Sequence, residues 1–210
     1  DSADECYDNI TYTGWHSGYP DAHARLVPET FRNIPWENNT PFLLGEFVNK
    51  DGSPMPLCPR QILKRVIEAA KDLGFSARFG VEFEWFNFIE TPATIAQKGY
   101  RDMTPLTPGM FGYSVLRSSL NHPFFGELME LCGDFGVPVE GLHTETGPGV
   151  LEAAIANCDA LEAADRAVLF KNSAKEIAYR HGIMATFMAK WNHDLPGCSG
   201  HIHQSLWNNE

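Results

Sequence analysis

Val139-Glu140-Gly141-Leu142-His143-Thr144-Glu145-Thr146-Gly147-Pro148-Gly149-Val150-Leu151-Glu152 reads as strand, tight turn, strand. Gly147-Pro148-Gly149 punctuates the middle, and apolar residues flank it on both sides. The midpoint of Glu145 and Glu152 falls between Pro148 and Gly149, so a hairpin is expected to set these two carboxylates opposite each other. Like charges facing across a ladder destabilise it. Two solvated glutamates on a surface hairpin are the simpler reading of this stretch alone. Two further carboxylates and two histidines elsewhere point instead to an oxygen-rich cation site.

The two carboxylates lie upstream, in the strand Ala77 to Phe88. In Val81-Glu82-Phe83-Glu84-Trp85-Phe86-Asn87-Phe88, Glu82 and Glu84 share a face with Phe86 and Phe88. Neighbours on that face are ~6.6 Å apart along the strand. If the face is buried, two unpaired carboxylates cost far too much. A divalent cation resolves the conflict, because it supplies the charge and takes oxygen ligands. The alternative is an amphipathic strand whose glutamates lie at a wet end. Downstream, Gly200-His201-Ile202-His203-Gln204-Ser205-Leu206 puts His201, His203 and Ser205 on one face. Paired core histidines are the commoner outcome of such a pattern; the carboxylates give it weight.

Around these strands the sequence alternates helices and loops. Residues 1–57 offer one clear strand, Phe42 to Val48, in a region rich in aromatics, Pro, Gly and Asn, followed by a linker. Pro59 opens a helix with Ile62, Leu63, Val66, Ala69 and Ala70 at helical spacing, closed by Gly74. Thr91 to Ser119 is loop-rich and reads as a lid or partner contact. Pro123 to Gly133 is a second helix with Phe124, Phe125, Leu128 and Leu131 as its core face. Asp159 and Glu162 form a capping pair for a long helix to Arg180, with Leu161, Ala164, Val168 and Ile177 as its stripe and Lys171, Lys175 and Arg180 solvated. Met184 to Lys190 is a strand, followed by a loop through Pro196-Gly197.

The totals exclude several classes. A chain of 210 residues suits one large domain, or one domain and part of another, and can bury roughly 70% of its unfolded surface without disulfides. Net charge is −11 with no Lys/Arg block, so no nucleic-acid partner is expected, and phosphate would be repelled unless bound cations offset the charge. No apolar run approaches ~18 residues, so no membrane contact is expected. Five cysteines, odd in number and without a CxxC pair, favour reduced thiols and a cytoplasmic location. The sequons at Asn9 and Asn38 follow no signal peptide and read as chance. No GxGxxG, Walker A, GxSxG or zinc-cysteine pattern occurs. The chain opens on Asp1 without a methionine and stops at Glu210 just after a strand, so it is expected to be cut at both ends.

The Glu82-x-Glu84 strand, the Glu140 to Glu152 hairpin, Ala185-Thr186-Phe187-Met188-Ala189-Lys190 and Ser199-Gly200-His201-Ile202-His203-Gln204-Ser205-Leu206 resemble, in order and kind, the motifs of the glutamine synthetase family. The resemblance runs from about Asp51 onward. It extends more faintly to Gly18-Tyr19-Pro20-Asp21 and Ile34-Pro35-Trp36. It implies an α+β fold, an antiparallel curved sheet with packed helices, preceded by the tail of a β-grasp domain. Residues 1–57 would be that tail plus linker, and 58–210 the N-terminal half of the catalytic domain.

By the same resemblance, Glu84, Glu145 and Glu152 hold a first metal on the glutamate-phosphate side, and Glu82 and His201 a second that draws out the ATP phosphates. Glu140, His203 and Ser205 contact ATP, and the backbone of Gly197 meets the amino-acid substrate. The implied activity joins the γ-carboxylate of glutamate to ammonia or a small amine at the expense of ATP, through a γ-glutamyl phosphate. Mg²⁺ or Mn²⁺, two or more per site, stabilises the charge that both steps concentrate. The implied assembly is a homo-oligomeric ring.

Two positions depart from the family. Pro196 stands where Asn is common, which is similar to γ-glutamyl-polyamine synthetases, and Ala189 and Trp191 replace prolines around Lys190. Family members also carry a further glutamate ligand and phosphate-binding arginines beyond this stretch, so the 210 residues are expected to be inactive alone. The competing readings are a non-catalytic structural or assembly protein of the same family and, more distantly, a metal-dependent hydrolase. Retention of every alignable metal residue favours the ligase.

Overall fold

The computed structural model describes residues 13–208. A two-stranded antiparallel hairpin, β1 (His23–Ile34) and β2 (Thr40–Val48), precedes helix α1 (Pro59–Asp72) and the long strand β3 (Phe75–Phe88). Helices α2 (Pro92–Gln97), α3 (Val115–Leu120) and α4 (His122–Asp134) follow. The chain continues through β4 (Val139–Thr144), β5 (Val150–Asp159), α5 (Ala160–Arg180), β6 (Met184–Thr186) and β7 (Gly200–Asn208). β3 is the centre of a five-stranded sheet. β5 pairs along one edge, with β4 outside it; β7 and β6 share the other edge, on Phe75–Phe83 and Phe86–Phe88 respectively. Every pairing is antiparallel, so the molecule is α+β.

The period-2 alternation of β3 divides the sheet into two faces. Phe83 and Trp85 point to the helical layer, where Trp85 meets Phe170 of α5 edge-on at 5.5 Å and stacks on Phe187 at 5.7 Å. Phe124, Leu128 and Cys132 of α4, with Phe170, Ala174 and Ile177 of α5, complete this main core. The other face carries Glu82 and Glu84, then Phe86 and Phe88, which form a second, smaller core with Ile95, Met103 and Val150. One strand face therefore passes from carboxylate to hydrocarbon within four residues.

Several expectations shift in the structure. Strand β1 was not expected; Pro28 and the bulge between Val27 and Arg32 break its alternation, although it extends over twelve residues. Thr91–Ser119 contains two short helices. The buried stripe of α5 runs through Ala160, Ala163, Phe170, Ala174 and Ile177, leaving Val168 59% exposed. Its N-cap, Asp159, makes no side-chain cap bond and instead faces Arg78, while Glu162 binds Arg32 and Arg166. Lys171 and Lys175 lie over the Phe187 ring at 5.4 and 5.9 Å rather than standing free. Strand β6 stops at Thr186, because the next stretch of the β3 edge is taken: Glu84 N–H donates to Ser199 O, and Phe83 pairs with Gly200. Cys58, Cys132, Cys158 and Cys198 are all free, as expected; Cys6 lies outside the described residues. No helix among the described residues is long and apolar enough to cross a membrane.

Candidate functional site

The hairpin exists, but its register differs from the expectation. Glu145 N–H donates to Val150 O at 3.0 Å, and the residue opposite Glu152 is His143. The turn cannot centre on Pro148-Gly149 because Gly149 is already engaged with β3: Asn87 N–H donates to its carbonyl at 2.8 Å, and Asn87 Nδ2 does so at 3.1 Å. Gly149 has φ +74°, and a Cβ there would lie 2.4 Å from Asn87 O, so only glycine fits. Glu145 and Glu152 still reach one another, diagonally, on the same face.

Cross-strand pairing assembles the rest. Glu84 is directly opposite Glu152, and Glu82 is directly opposite His201, all on the Glu82–Glu84 face. One candidate ligand atom from each of Glu82, Glu152 and His201 lies within 4.8 Å of the others, and the same holds for His143, Glu145 and Glu152. Glu82 is held between two imidazoles, 3.1 Å from His203 Nε2 and 3.2 Å from His201 Nδ1. The bond with His203, ahead of burial and the remaining His interactions, keeps its carboxyl below the ordinary value. Glu84 is fixed by Ser199, whose N–H and hydroxyl each donate to it at 2.9 Å. Burial pushes Glu152 up; the charge of His143 opposes this, and those of Glu82, Glu84 and Glu145 add to it.

The donor set fits a divalent cation. Glu145 Oε1 accepts from Thr146 N–H at 2.6 Å, but Oε2 is buried without a donor in bonding geometry. Among the described residues no lysine or arginine forms an ion pair with any of the four glutamates. Carboxylate oxygens with imidazole nitrogen suit Mg²⁺ or Mn²⁺. The sequence reading passes over two members of this cluster, His143 and Tyr113. His143 stands two residues before Glu145, so same-face alternation within the strand would have found it. Tyr113 stacks on His143 at 4.6 Å. Its contact with Glu145, then that residue's charge, pushes its hydroxyl up to about 12. It arrives from a distant loop, and no local pattern announces it.

Glu140, His203 and Ser205 line one cleft of about 470 Å³, together with Glu82, Arg78 and Asn157. Glu140 reaches it because it is the extra residue of a bulge, between Val139 opposite Ile155 and Gly141 opposite Ala154. Gly197 lies on the loop between β6 and β7. A Cβ on it would meet Ala189 O at 2.7 Å, and Pro196 on the same loop approaches Gly147 of the β4–β5 turn. All nine residues singled out in the sequence thus surround the exposed end of the Glu82–Glu84 face or the loop and cleft beside it.

An antiparallel sheet whose central strand presents two glutamates, opposite a glutamate of β5 and a histidine of β7, defines an α+β domain with a carboxylate–imidazole cluster on one sheet face. Residues 56–210 match the family model described as "Glutamine synthetase, catalytic domain", and the chain belongs to the glutamine synthetase family. It is 55% identical over 206 residues to "Type-1 glutamine synthetase 2" of Dictyostelium discoideum, covering 98% of this chain and 39% of that protein. It is 38% identical over 208 residues to "Glutamate--isopropylamine ligase" of a Pseudomonas species, covering 98% of this chain and 45% of that one. A solved structure, "GmaS/ADP complex-Conformation 1", superposes with TM-score 0.77 at 28% identity, over 90% of this chain and 42% of its own. The chain therefore spans less than half the length of these relatives.

Proposed function

We propose that the protein to which these residues belong is an ATP-dependent carbon–nitrogen ligase that activates the γ-carboxylate of glutamate as an acyl phosphate and transfers it to ammonia or a small amine. The observation that carries this reading is the convergence of Glu82, Glu84, Glu145, Glu152 and His201 on one sheet face, with a buried carboxylate oxygen left without a donor. Glu84, Glu145 and Glu152 would hold one Mg²⁺ or Mn²⁺, and Glu82 with His201 another. Bound there, such ions supply Lewis-acid neutralisation of the charge that develops on phosphoryl transfer. Ser199 and the cross-strand register keep Glu84 aimed into the site before substrate arrives, which reduces reorganisation during the reaction. Glu140, His203 and Ser205 would line the ATP cleft, and Gly197 would present its backbone to the amino-acid substrate.

The division at residue 57 into a β-grasp tail and a catalytic half, a cytoplasmic location and assembly as a homo-oligomeric ring belong to the same proposal, as does inactivity of the 210 residues alone. Acceptor choice is assigned to the loop at Pro196. Proline offers no backbone N–H and no amide side chain, so the pocket makes fewer polar demands and admits a primary amine larger than ammonia. The test is phosphate release by the full-length protein with glutamate, ATP and Mg²⁺, comparing ammonia with putrescine, ethanolamine and a monoamine. Turnover with an amine at least comparable to ammonia is expected. A kcat/KM for ammonia more than ~100-fold above every amine, about 2.7 kcal/mol, refutes the acceptor assignment. No phosphate release with any acceptor refutes the ligase.

A further inference from the structure

We propose that His143 is itself a ligand, through Nε2, of the cation held by Glu145 and Glu152; this rests on the reading of those two glutamates as cation ligands. The ring is oriented before any ion binds. Nδ1 lies 3.2 Å from the Thr144 carbonyl oxygen. A carbonyl only accepts, so Nδ1 carries the proton and Nε2 of the neutral ring presents its lone pair. A backbone carbonyl taking the second ring N–H is the usual support behind a metal-bound imidazole. Tyr113 fixes the ring plane by stacking at 26°, and Tyr113 N–H donates to the same Thr144 oxygen at 2.6 Å.

The free nitrogen faces Glu152, and one ring nitrogen lies within 4.8 Å of carboxylate oxygens from both Glu145 and Glu152. Nε2 is 3.8 Å from Glu152 Oε2, and two donors each roughly 2.1 Å from one cation can stand up to about 4.2 Å apart. A charged imidazolium bridging the carboxylates fits less well. Its nitrogens lie 3.9 Å (Nδ1 to Glu145 Oε2) and 3.8 Å (Nε2 to Glu152 Oε2) from the carboxylates, too long for hydrogen bonds. A shared ion satisfies all three side chains. Because imidazole is a better donor to Mn²⁺ than to Mg²⁺, the ligand also tilts the site toward the transition metal.

The experiment uses the full-length, nucleotide-free protein with Mn²⁺ as the probe. Pulsed electron paramagnetic resonance reads nitrogen coupled to the bound ion, and calorimetry reads affinity. In a His201→Asn background the remaining histidine coupling should persist and should vanish on adding His143→Asn. His143→Asn alone should weaken Mn²⁺ binding ~10–100-fold and Mg²⁺ binding less. Loss of all nitrogen coupling in His201→Asn, or Mn²⁺ affinity within twofold of wild type in His143→Asn, overturns the inference. If His143→Asn does not fold, ¹⁵N-histidine labelling of the His201→Asn protein reads the same coupling with His143 intact: a changed pattern supports ligation and an unchanged one overturns it. Glu145→Gln and Glu152→Gln separate the two levels. If neither weakens Mn²⁺ binding, the carboxylate reading itself fails; if both do and His143→Asn does not, only the role of His143 fails.

Discussion

Glu46 and the Glu82–Glu152 cluster are two answers to the same problem, a carboxylate removed from water. The side chain of Glu46, on β2, is 0% exposed. It is surrounded by Arg25, Arg60, Gln61 and Lys64, and Arg60 extends the network to Asp165 of α5. Burial pushes its carboxyl up, but the hydrogen bonds and charges of Lys64, Arg25 and Arg60 outweigh that and hold it below the ordinary range. Glu145 and Glu152 are also largely shielded, yet they face Tyr113, His143 and other glutamates, and among the described residues no Lys or Arg forms an ion pair with them. A fully cation-matched carboxylate ties elements together. Carboxylates left unmatched on a rigid sheet leave room for a cation from solution.

The contrast is broken most severely at Glu46. Glu46→Gln leaves Arg60 and Lys64 facing a neutral amide and is expected to cost about 3 kcal/mol, the low end for a broken buried pair because Arg25 and Lys64 reach solvent. Its folded-state carboxyl is depressed, so its stabilisation is present above the ordinary glutamate value of about 4.3 and is lost as pH falls through the folded value. Urea unfolding of wild type and variant from pH 7 downward checks this: the difference should be constant above about 4.3 and shrink progressively below it.

Glu152→Gln should act in the opposite direction and more weakly. In metal-free protein it removes a charge directly opposite Glu84 and is expected to stabilise by on the order of 1 kcal/mol or less. Because the Glu152 carboxyl is raised in the fold, protonation favours the native state. Wild-type stability therefore falls as pH rises from the ordinary glutamate value through the folded one, and the variant's advantage appears over that same rise. Equal pH profiles for wild type and Glu152→Gln would mean that the carboxylates do not crowd one another.

The sequence displayed the elements better than their alignment. Strand β3 was legible from Ala77 to Phe88 because apolar and polar residues alternate from Ala77 to Trp85, and the helices because Pro59 and Pro123 mark first turns and the apolar spacing is regular. The turn at Gly147-Pro148-Gly149 was legible too, but its register depends on Asn87 gripping Gly149, a contact 62 residues away in sequence. That contact also decides that His143, rather than Glu145, faces Glu152. Strand β1 was hidden by Pro28 and a bulge, and Tyr113 by the loop that delivers it. Partners such as these are set by tertiary packing, which local pattern does not contain.

The most direct test of the unmatched-carboxylate account is thermal unfolding of the protein with and without Mn²⁺, beside a Glu145→Gln/Glu152→Gln double variant. The account predicts that Mn²⁺ at ~100 times its dissociation constant stabilises the wild type by about 2.7 kcal/mol and raises its Tm. The double variant should gain little from it. A wild-type Tm indifferent to Mn²⁺, or an equal gain in both proteins, would contradict the claim that these glutamates form a cation site.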